Sequence, residues 1–148
     1  MTLEIRPASA TDLAATIELL QVAKLPVADL TTEILAFVAE DNGLFTGVIG
    51  LETFGETALL RSLVVTVDAR GKGVAAALVG ALEVLVLANG VRELWLLTID
   101  ADQYFQTLGY VTRDRSDAPR AIRSTEEFSG LCPSDAVLMS KKLTGPGY

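Results

Sequence analysis

The spacing of apolar and polar positions changes period several times along the chain, and each change marks an element. Leu3 to Arg6 alternates apolar with charged residues, the period of a strand. Ser9-Ala10-Thr11-Asp12 has the form of a capping box. Behind it Leu13, Ile17 and Leu20 share one helical face, so a helix is expected up to the break at Leu25-Pro26. Asp29 to Ile34 reads as a short second helix capped by Asp29 or Thr31. Phe37 to Glu40 reads as a strand, Asn42-Gly43 as a hairpin turn, and Leu44 to Thr53 as the returning strand. A turn at Phe54-Gly55-Glu56 leads to a strand over Thr57 to Thr66, which completes an antiparallel meander.

The pattern then shifts. Val74 to Ala88 is apolar nearly all round, which predicts a well-buried helix. Gly80 in its middle costs about 1 kcal/mol against alanine, and close packing against the sheet is the reason expected for it. Asn89-Gly90 is a helix stop. Leu94-Trp95-Leu96-Leu97 is a continuous apolar run, as in a parallel strand covered on both faces. Strand, helix and strand within this length form a βαβ crossover. Ala101 to Leu108 follows as a short helix ending at Gly109, then a strand over Tyr110 to Thr112. Ala118 to Phe128 is helical or looped, with Ser124-x-x-Glu127 and Thr125 as caps, and Cys132-Pro133 stops it. Ala136 to Lys142 is the last strand. The fold class is therefore α/β, a mixed and mostly antiparallel sheet flanked by helices with one central parallel βαβ crossover. Residues 1–143 are expected to form one domain and 144–148 a tail.

Composition narrows what such a domain does. The formal net charge of −7 disfavours nucleic acid and anionic membranes as partners. The absence of histidine removes Ser–His and Cys–His pairs, and with a single cysteine leaves no common zinc site, so no metal is expected. One cysteine, Cys132, cannot make an internal disulfide, which fits a reducing cytoplasm. The N-terminal residues lack the order of a signal peptide. The longest apolar stretch, broken by Glu83, is shorter than the roughly 20 residues of a membrane span.

The chemistry concentrates at Arg70-Gly71-Lys72-Gly73-Val74-Ala75, between a strand and the apolar helix. A glycine-rich turn at a helix N-terminus exposes backbone N–H groups in one direction, the dipole adds positive potential, and Arg70 and Lys72 add full charges. A phosphate-bearing ligand is implied. Gly50 to Thr57 has P-loop spacing, but Glu56 stands where lysine is needed, so that reading fails. Gly71-x-Gly73-x-x-Ala76 matches a dinucleotide fingerprint, although a meander precedes it and only one parallel crossover follows. An acyl-CoA pyrophosphate site and a bare structural turn are the other readings.

The string Leu63 to Ala75 resembles the acetyl-CoA motif of the GNAT N-acetyltransferase superfamily: a strand, then Arg/Gln-x-x-Gly-x-Gly/Ala, then a helix, with Arg70, Gly73 and Ala75 on the defining positions. Ala101-x-x-Tyr104-Phe105-x-x-Leu108-Gly109-Tyr110 resembles the family's later "A-x-x-F-Y-x-x-x-G-F" segment, and the element order matches over most of the chain. Arg61-Ser62, Leu96-Leu97-Thr98, Ala118-Pro119, Ile122-Arg123, Thr125 and Glu127-Phe128-x-x-Leu131-Cys132-Pro133 resemble the arsenic-resistance N-acetyltransferase subgroup.

The resemblance implies transfer of an acetyl group from acetyl-CoA to an amine of a small acceptor. It implies that the strands around Leu63–Val65 and Leu94–Thr98 splay, with pantetheine between them. Backbone N–H groups of Leu63, Val64 and Val65 would hold its amides and polarise the thioester carbonyl. Gly71, Lys72, Gly73, Val74 and Ala75 would wrap the pyrophosphate, with Arg70 beside them and Phe105 along the cofactor. Glu52 is the first candidate for a carboxylate that deprotonates the amine through water, and Glu40 the second. Many relatives carry tyrosine at the position of Phe105 as proton donor to the thiolate. Phenylalanine cannot donate, and Tyr104, one residue back, points about 100° away on a helix. Tyr104, Thr98, Tyr110, Ser62 and Cys132 are the substitutes. Arg61, beside Ser62, is a candidate for binding an anionic acceptor carboxylate or for pairing with Glu52 across the meander; Arg115, Arg120 and Arg123, beyond Tyr110 where the family's substrate wall would lie, suit an acidic acceptor such as an amino acid or its phosphinate or arsenate-like analogue, or else form a solvated, salt-bridged loop. Homodimers are common in the family. The rival from another class is a non-catalytic acyl-CoA-binding or regulatory module.

Overall fold

The structure is a computed structural model that describes residues 2–24, 27, 30–31, 33–125, 128 and 136–143. Seven strands follow the hydrogen-bonded order β1-β2-β3-β4-β5-β7-β6. They are β1 (Leu3–Pro7), β2 (Leu35–Asp41), β3 (Leu44–Phe54), β4 (Thr57–Val65), β5 (Glu93–Thr98), β6 (Val111–Arg113) and β7 (Val137–Lys142). The helices are α1 (Leu13–Val22), α2 (Val74–Ala88), α3 (Asp102–Thr107) and the single turn α4 (Arg120–Arg123). This is the mixed, mostly antiparallel sheet that the sequence predicts, with β4 and β5 as its parallel pair. By its contacts the chain divides into two compact units: Met1–Leu51 with Arg61–Leu85, and Glu52–Leu60 with Val86–Tyr148.

In the first unit β1 pairs antiparallel with β2, from Leu3 opposite Asp41 to Pro7 opposite Phe37. The β2–β3 hairpin turns at Asn42 and Gly43, whose φ values of 53° and 82° are those of a type I′ turn. The capping box at Ser9 is present: the Ser9 N–H donates to Asp12 Oδ2 at 2.8 Å. It opens a single 3-10 turn, Ala10–Asp12, that runs into α1. Leu20, Leu30, Leu35, Val38, Val48 and Val64 form the core, with Leu13 and Ile17 packed against it. The helix expected over Asp29–Ile34 is not formed by the described residues of that segment: Leu30 and Thr31 are irregular, and Glu33-Ile34 make a turn.

Two glycines of β3 set how closely this unit packs. A Cβ on Gly47 would lie 3.1 Å from Leu78 Cδ1 and from the Val64 carbonyl oxygen, and 3.3 Å from Val74 Cγ1. Gly47 is therefore where α2 settles on the strands. A Cβ on Gly50 would meet the Arg61 carbonyl oxygen and Ile34 Cγ2, both at 3.1 Å. The close approach expected at Gly80 is absent: Gly80 is exposed, and a Cβ there meets nothing within 4 Å. The outward face of α2 also carries Val84, 71% exposed, so the helix is buried on one side although its residues are apolar all round.

In the second unit β4 and β5 pair in parallel from Thr57/Glu93 to Leu59/Trp95, β5 pairs antiparallel with β7, and β7 with β6. The core here is Leu59, Trp95, Ala118, Ile122 and Leu138. The end of α2 is a Schellman motif: the Val91 N–H donates to Val86 O at 2.9 Å and the Gly90 N–H to Leu87 O at 3.1 Å, with Gly90 at φ 91°. Thr125 acts as the expected cap, its Oγ1 donating to Ile122 O and accepting from the Phe128 N–H. Glu127, Leu131, Cys132 and Pro133 and the tail 144–148 lie outside the described residues. No helix among the described residues is long and apolar enough to cross a membrane.

Candidate functional site

The phosphate-turn residues lie together in the first unit. β4 ends at Val65, a short 3-10 turn covers Val67–Ala69, and α2 starts at Val74. The Ala77 N–H donates to Gly73 O at 3.0 Å, so Gly73 is the N-cap and the amides just inside the helix have no partner within it. Gly71 and Gly73 have φ of 77° and 81°, a conformation L-residues rarely take. A Cβ built on either meets no protein atom within 4 Å. The turn therefore faces open space that a bare backbone leaves available. Val74 anchors it, 1% exposed, while Arg70, Lys72 and Gly73 are exposed and Ala75 is half-buried. Arg70 Nε donates to Val65 O at 3.4 Å, tying the cation back to the strand end. Val67, beside the turn, is 68% exposed.

Leu63, Val64 and Val65 continue β4 towards this turn, Leu63 half-buried and the other two buried. Immediately before them the strand is irregular. Ser62 has φ 58° although it is buried in a strand. Arg61 is 2% exposed, and its Nε donates to Ser62 Oγ at 3.2 Å. Glu40, the second candidate for a base, is engaged in another network of this unit. Arg6 donates from Nε to Glu40 Oε1 at 3.0 Å and grips Asp12 with two bonds, at 2.8 and 2.9 Å. The Arg6 hydrogen bond, aided by the Ser9 amide, holds the buried Asp12 carboxyl down from 3.8 to about 2. The same bonds raise the Arg6 guanidinium. Glu40 is thus a structural ion-pair partner.

The other candidates lie in the second unit. Glu52 is half-buried on β3. Thr98 closes β5, and its Oγ1 accepts from the Ala101 N–H at 3.0 Å, holding the turn that leads into α3. Tyr104 is 39% exposed, and partial burial raises its phenol. Phe105 is buried, edge-on to the Tyr104 ring at 5.7 Å and to the Tyr110 ring at 5.6 Å. Tyr110 is 1% exposed beneath the Lys141 ammonium, whose Nζ donates to Leu108 O at 2.8 Å. Gly109 suits this turn through its φ of 96°, and a Cβ there would lie 3.1 Å from Lys141 Cε.

The arginines after Tyr110 divide. Arg115 is bound into the fold, with Nη2 donating to Ala136 O at 3.2 Å and the guanidinium over the Phe128 ring. Arg120 and Arg123 are exposed on α4. Sequence reasoning missed Arg113, which lies over the Trp95 ring at 4.9 Å, donates to Ser140 Oγ at 3.0 Å and pairs with Asp117 at 3.7 Å. Its i,i+4 spacing to Asp117 was the readable signal. An open cavity of about 390 Å³ in this unit is lined by Glu56, Thr57, Arg92, Glu93, Lys142 and Leu143, none of them a predicted site residue. No cluster of three or more metal-ligating side chains occurs among the described residues.

Comparison with known proteins adds a family. The model of the Acetyltransferase (GNAT) domain matches residues 33–112, more than half the chain. No curated protein matches the sequence. Among solved structures, N-acetylglutamate synthase from Neisseria gonorrhoeae, complexed with coenzyme A and N-acetyl-glutamate, is 18% identical with a TM-score of 0.82. The alignment covers 98% of this chain and 36% of that one, so this chain spans about a third of that protein's length. Rv2747 from Mycobacterium tuberculosis, in complex with CoA, is 18% identical with a TM-score of 0.80, over 95% of this chain and 99% of that one. The PaiA N-acetyltransferase from Thermoplasma acidophilum, in complex with coenzyme A, is 16% identical with a TM-score of 0.70, over 96% and 99%.

Proposed function

Because this chain belongs to the GNAT acetyltransferase family, we propose that it transfers an acetyl group from acetyl-CoA to the amine of a small anionic acceptor. The observation that carries the proposal is the pair Gly71 and Gly73. Both have positive φ, both face space that a Cβ would enter, and both stand at the start of a fifteen-residue helix. A turn needs only the conformation. The open space in front of it suits a ligand that approaches the backbone itself. Amides at the start of α2 bind the pyrophosphate, and Arg70 and Lys72 add charge. The amides of Leu63 to Val65 receive the pantetheine and the thioester carbonyl. Acetyl-CoA supplies the activated acetyl group and a thiolate leaving group.

Glu52 is the proposed base, taking a proton from the acceptor ammonium through water so that the amine attacks. Phe105 donates no proton, and its ring packs edge-on against Tyr104 and Tyr110. Tyr104, partly exposed and on the same helix, is the proposed donor to the thiolate, with Thr98 the alternative. A thiol with pKa near 8.5 leaves without much help, so the general acid is the least demanding role.

An acidic acceptor is supported by the buried Arg61 with its neighbour Ser62, and by exposed Arg123. The N-acetyl-glutamate ligand of the Neisseria enzyme agrees with this chemistry, while the resemblance to the arsenic-resistance subgroup names a theme rather than a substrate. Arg115 is the weaker member, given its bonds to Ala136 and Phe128.

The test is thiol release from acetyl-CoA over a panel of amino acids, their amides and phosphinate or arsonate analogues. Turnover confined to carboxylate- or oxyanion-bearing amines is the expected result. Acetyl-CoA binding without turnover on any amine replaces the enzyme by a regulatory acyl-CoA module, the reading that Phe105 favours.

A further inference from the structure

We infer that Ser62 is a positioning residue: its hydroxyl orients the Arg61 guanidinium, and through it the acceptor's carboxylate. The inference rests on the acceptor reading above. Three features of the first unit carry it. In a regular strand neighbouring side chains leave opposite faces. Arg61 and Ser62 are neighbours in β4, yet Arg61 Nε donates to Ser62 Oγ at 3.2 Å in a buried setting. The left-handed φ of 58° at Ser62 breaks the alternation and makes that bond reachable.

The second feature is where the conformation occurs. Among the described residues, three non-glycine residues have positive φ. Lys24 lies in the turn after α1 and Asn42 in the β2–β3 hairpin, where such angles are routine, whereas Ser62 lies inside a strand. A residue held against its preference in a buried strand persists only if its surroundings over-determine it. The third feature is one of those surroundings: Gly50 lets the Arg61 carbonyl lie where a Cβ would stand 3.1 Å away. Gly50 thus leaves room for the main chain of Arg61, and Ser62 takes one bond of its side chain. A serine is needed for its hydroxyl, since glycine suits the backbone better.

That last point makes the role separable from stability. Glycine accepts a φ of 58° without strain, so Ser62→Gly folds, and its melting temperature stays at or above that of the unaltered protein. It removes the Oγ. Ser62→Ala removes the Oγ and keeps the strain, so it melts lower. If Ser62 orients Arg61, both variants raise KM for carboxylate-bearing acceptors by about tenfold, the range of a hydrogen bond to a charged group. KM for the corresponding amides stays unchanged, and so does CoA affinity by calorimetry. Arg61→Lys shows the same carboxylate-specific rise. A Ser62→Gly protein that keeps its carboxylate KM within twofold overturns the inference and leaves the acceptor reading standing. Unaltered protein that acetylates amides as well as free acids, or no amine at all, removes the acceptor reading itself.

Discussion

Replacing Gly73 by alanine separates a glycine needed by a turn from a glycine needed by a ligand. The added methyl meets no protein atom within 4 Å, so it causes no clash within the fold. What remains is the conformational penalty of an L-residue at φ 81°, about 1–2 kcal/mol. For a chain of this size that lowers the melting temperature by about 2–4 °C per kcal/mol. Gly43→Ala is a matched control: φ is 82°, the Cβ again meets nothing within 4 Å, and the residue lies in a hairpin. Both variants should lose the same stability by calorimetric melting. Isothermal titration with CoA should then divide them. A methyl on Gly73 occupies the space through which a diphosphate reaches the amides, so affinity falls by at least about tenfold, or 1.4 kcal/mol. Gly43→Ala binds as before. Equal CoA affinity in the two variants refutes the reasoning, because Gly73 would then serve only the bend that leads into α2.

The Asp12 carboxyl is held at about 2 against 3.8, which at 1.36 kcal/mol per pH unit is about 2 kcal/mol of stability. Its folded-state pKa is depressed, so that contribution is complete above pH 4 and fades as pH falls through 2; urea melts of Asp12→Asn should lack this slope and show a loss of about that size at neutral pH. Gly47→Ala should lose about 1–3 kcal/mol from contacts at 3.1 Å with Leu78 and Val64, whereas Gly80→Ala should gain up to about 1 kcal/mol; thermal melts that place the two in the same direction contradict the packing described. Glu52→Gln should lower kcat about 10²–10⁴-fold with CoA affinity unchanged; an unaltered kcat excludes Glu52 as the base.

What could be read from the sequence was what neighbours in the chain decide. Asn42-Gly43 announces its hairpin because positive φ at both residues is a local demand, and Gly90 announces the end of α2 for the same reason. The capping box at Ser9 was legible too, although it starts a 3-10 turn before α1. Close approach is not local. Gly80, which the sequence suggests as a packing glycine, is open to solvent, while Gly47 and Gly50 of β3 have neighbouring elements pressed against them. The proposed helix over Asp29–Ile34 followed a capping pattern that its described residues do not use. For the candidate site, the phosphate turn was visible as spacing and charge, and the structure adds the angles and the open space. The positive φ at Ser62 leaves no trace in composition or period. Arg115 reads in the sequence as a candidate for the acceptor, and the structure gives it the Ala136 carbonyl and the Phe128 ring.

The place of β7 governs the order in which the second unit is assembled during synthesis. The last strand in the chain is seated between β5 and β6, pairing with β5 from Val137 to Lys142 and with β6 from Leu138 to Ser140. Until it leaves the ribosome, β6 has no strand to pair with and one flank of the apolar β5 is bare, a template for another nascent chain. Translation must pass Lys142 before that flank is closed, so stalled or clipped products ending short of Val137 are the species a chaperone would be expected to hold.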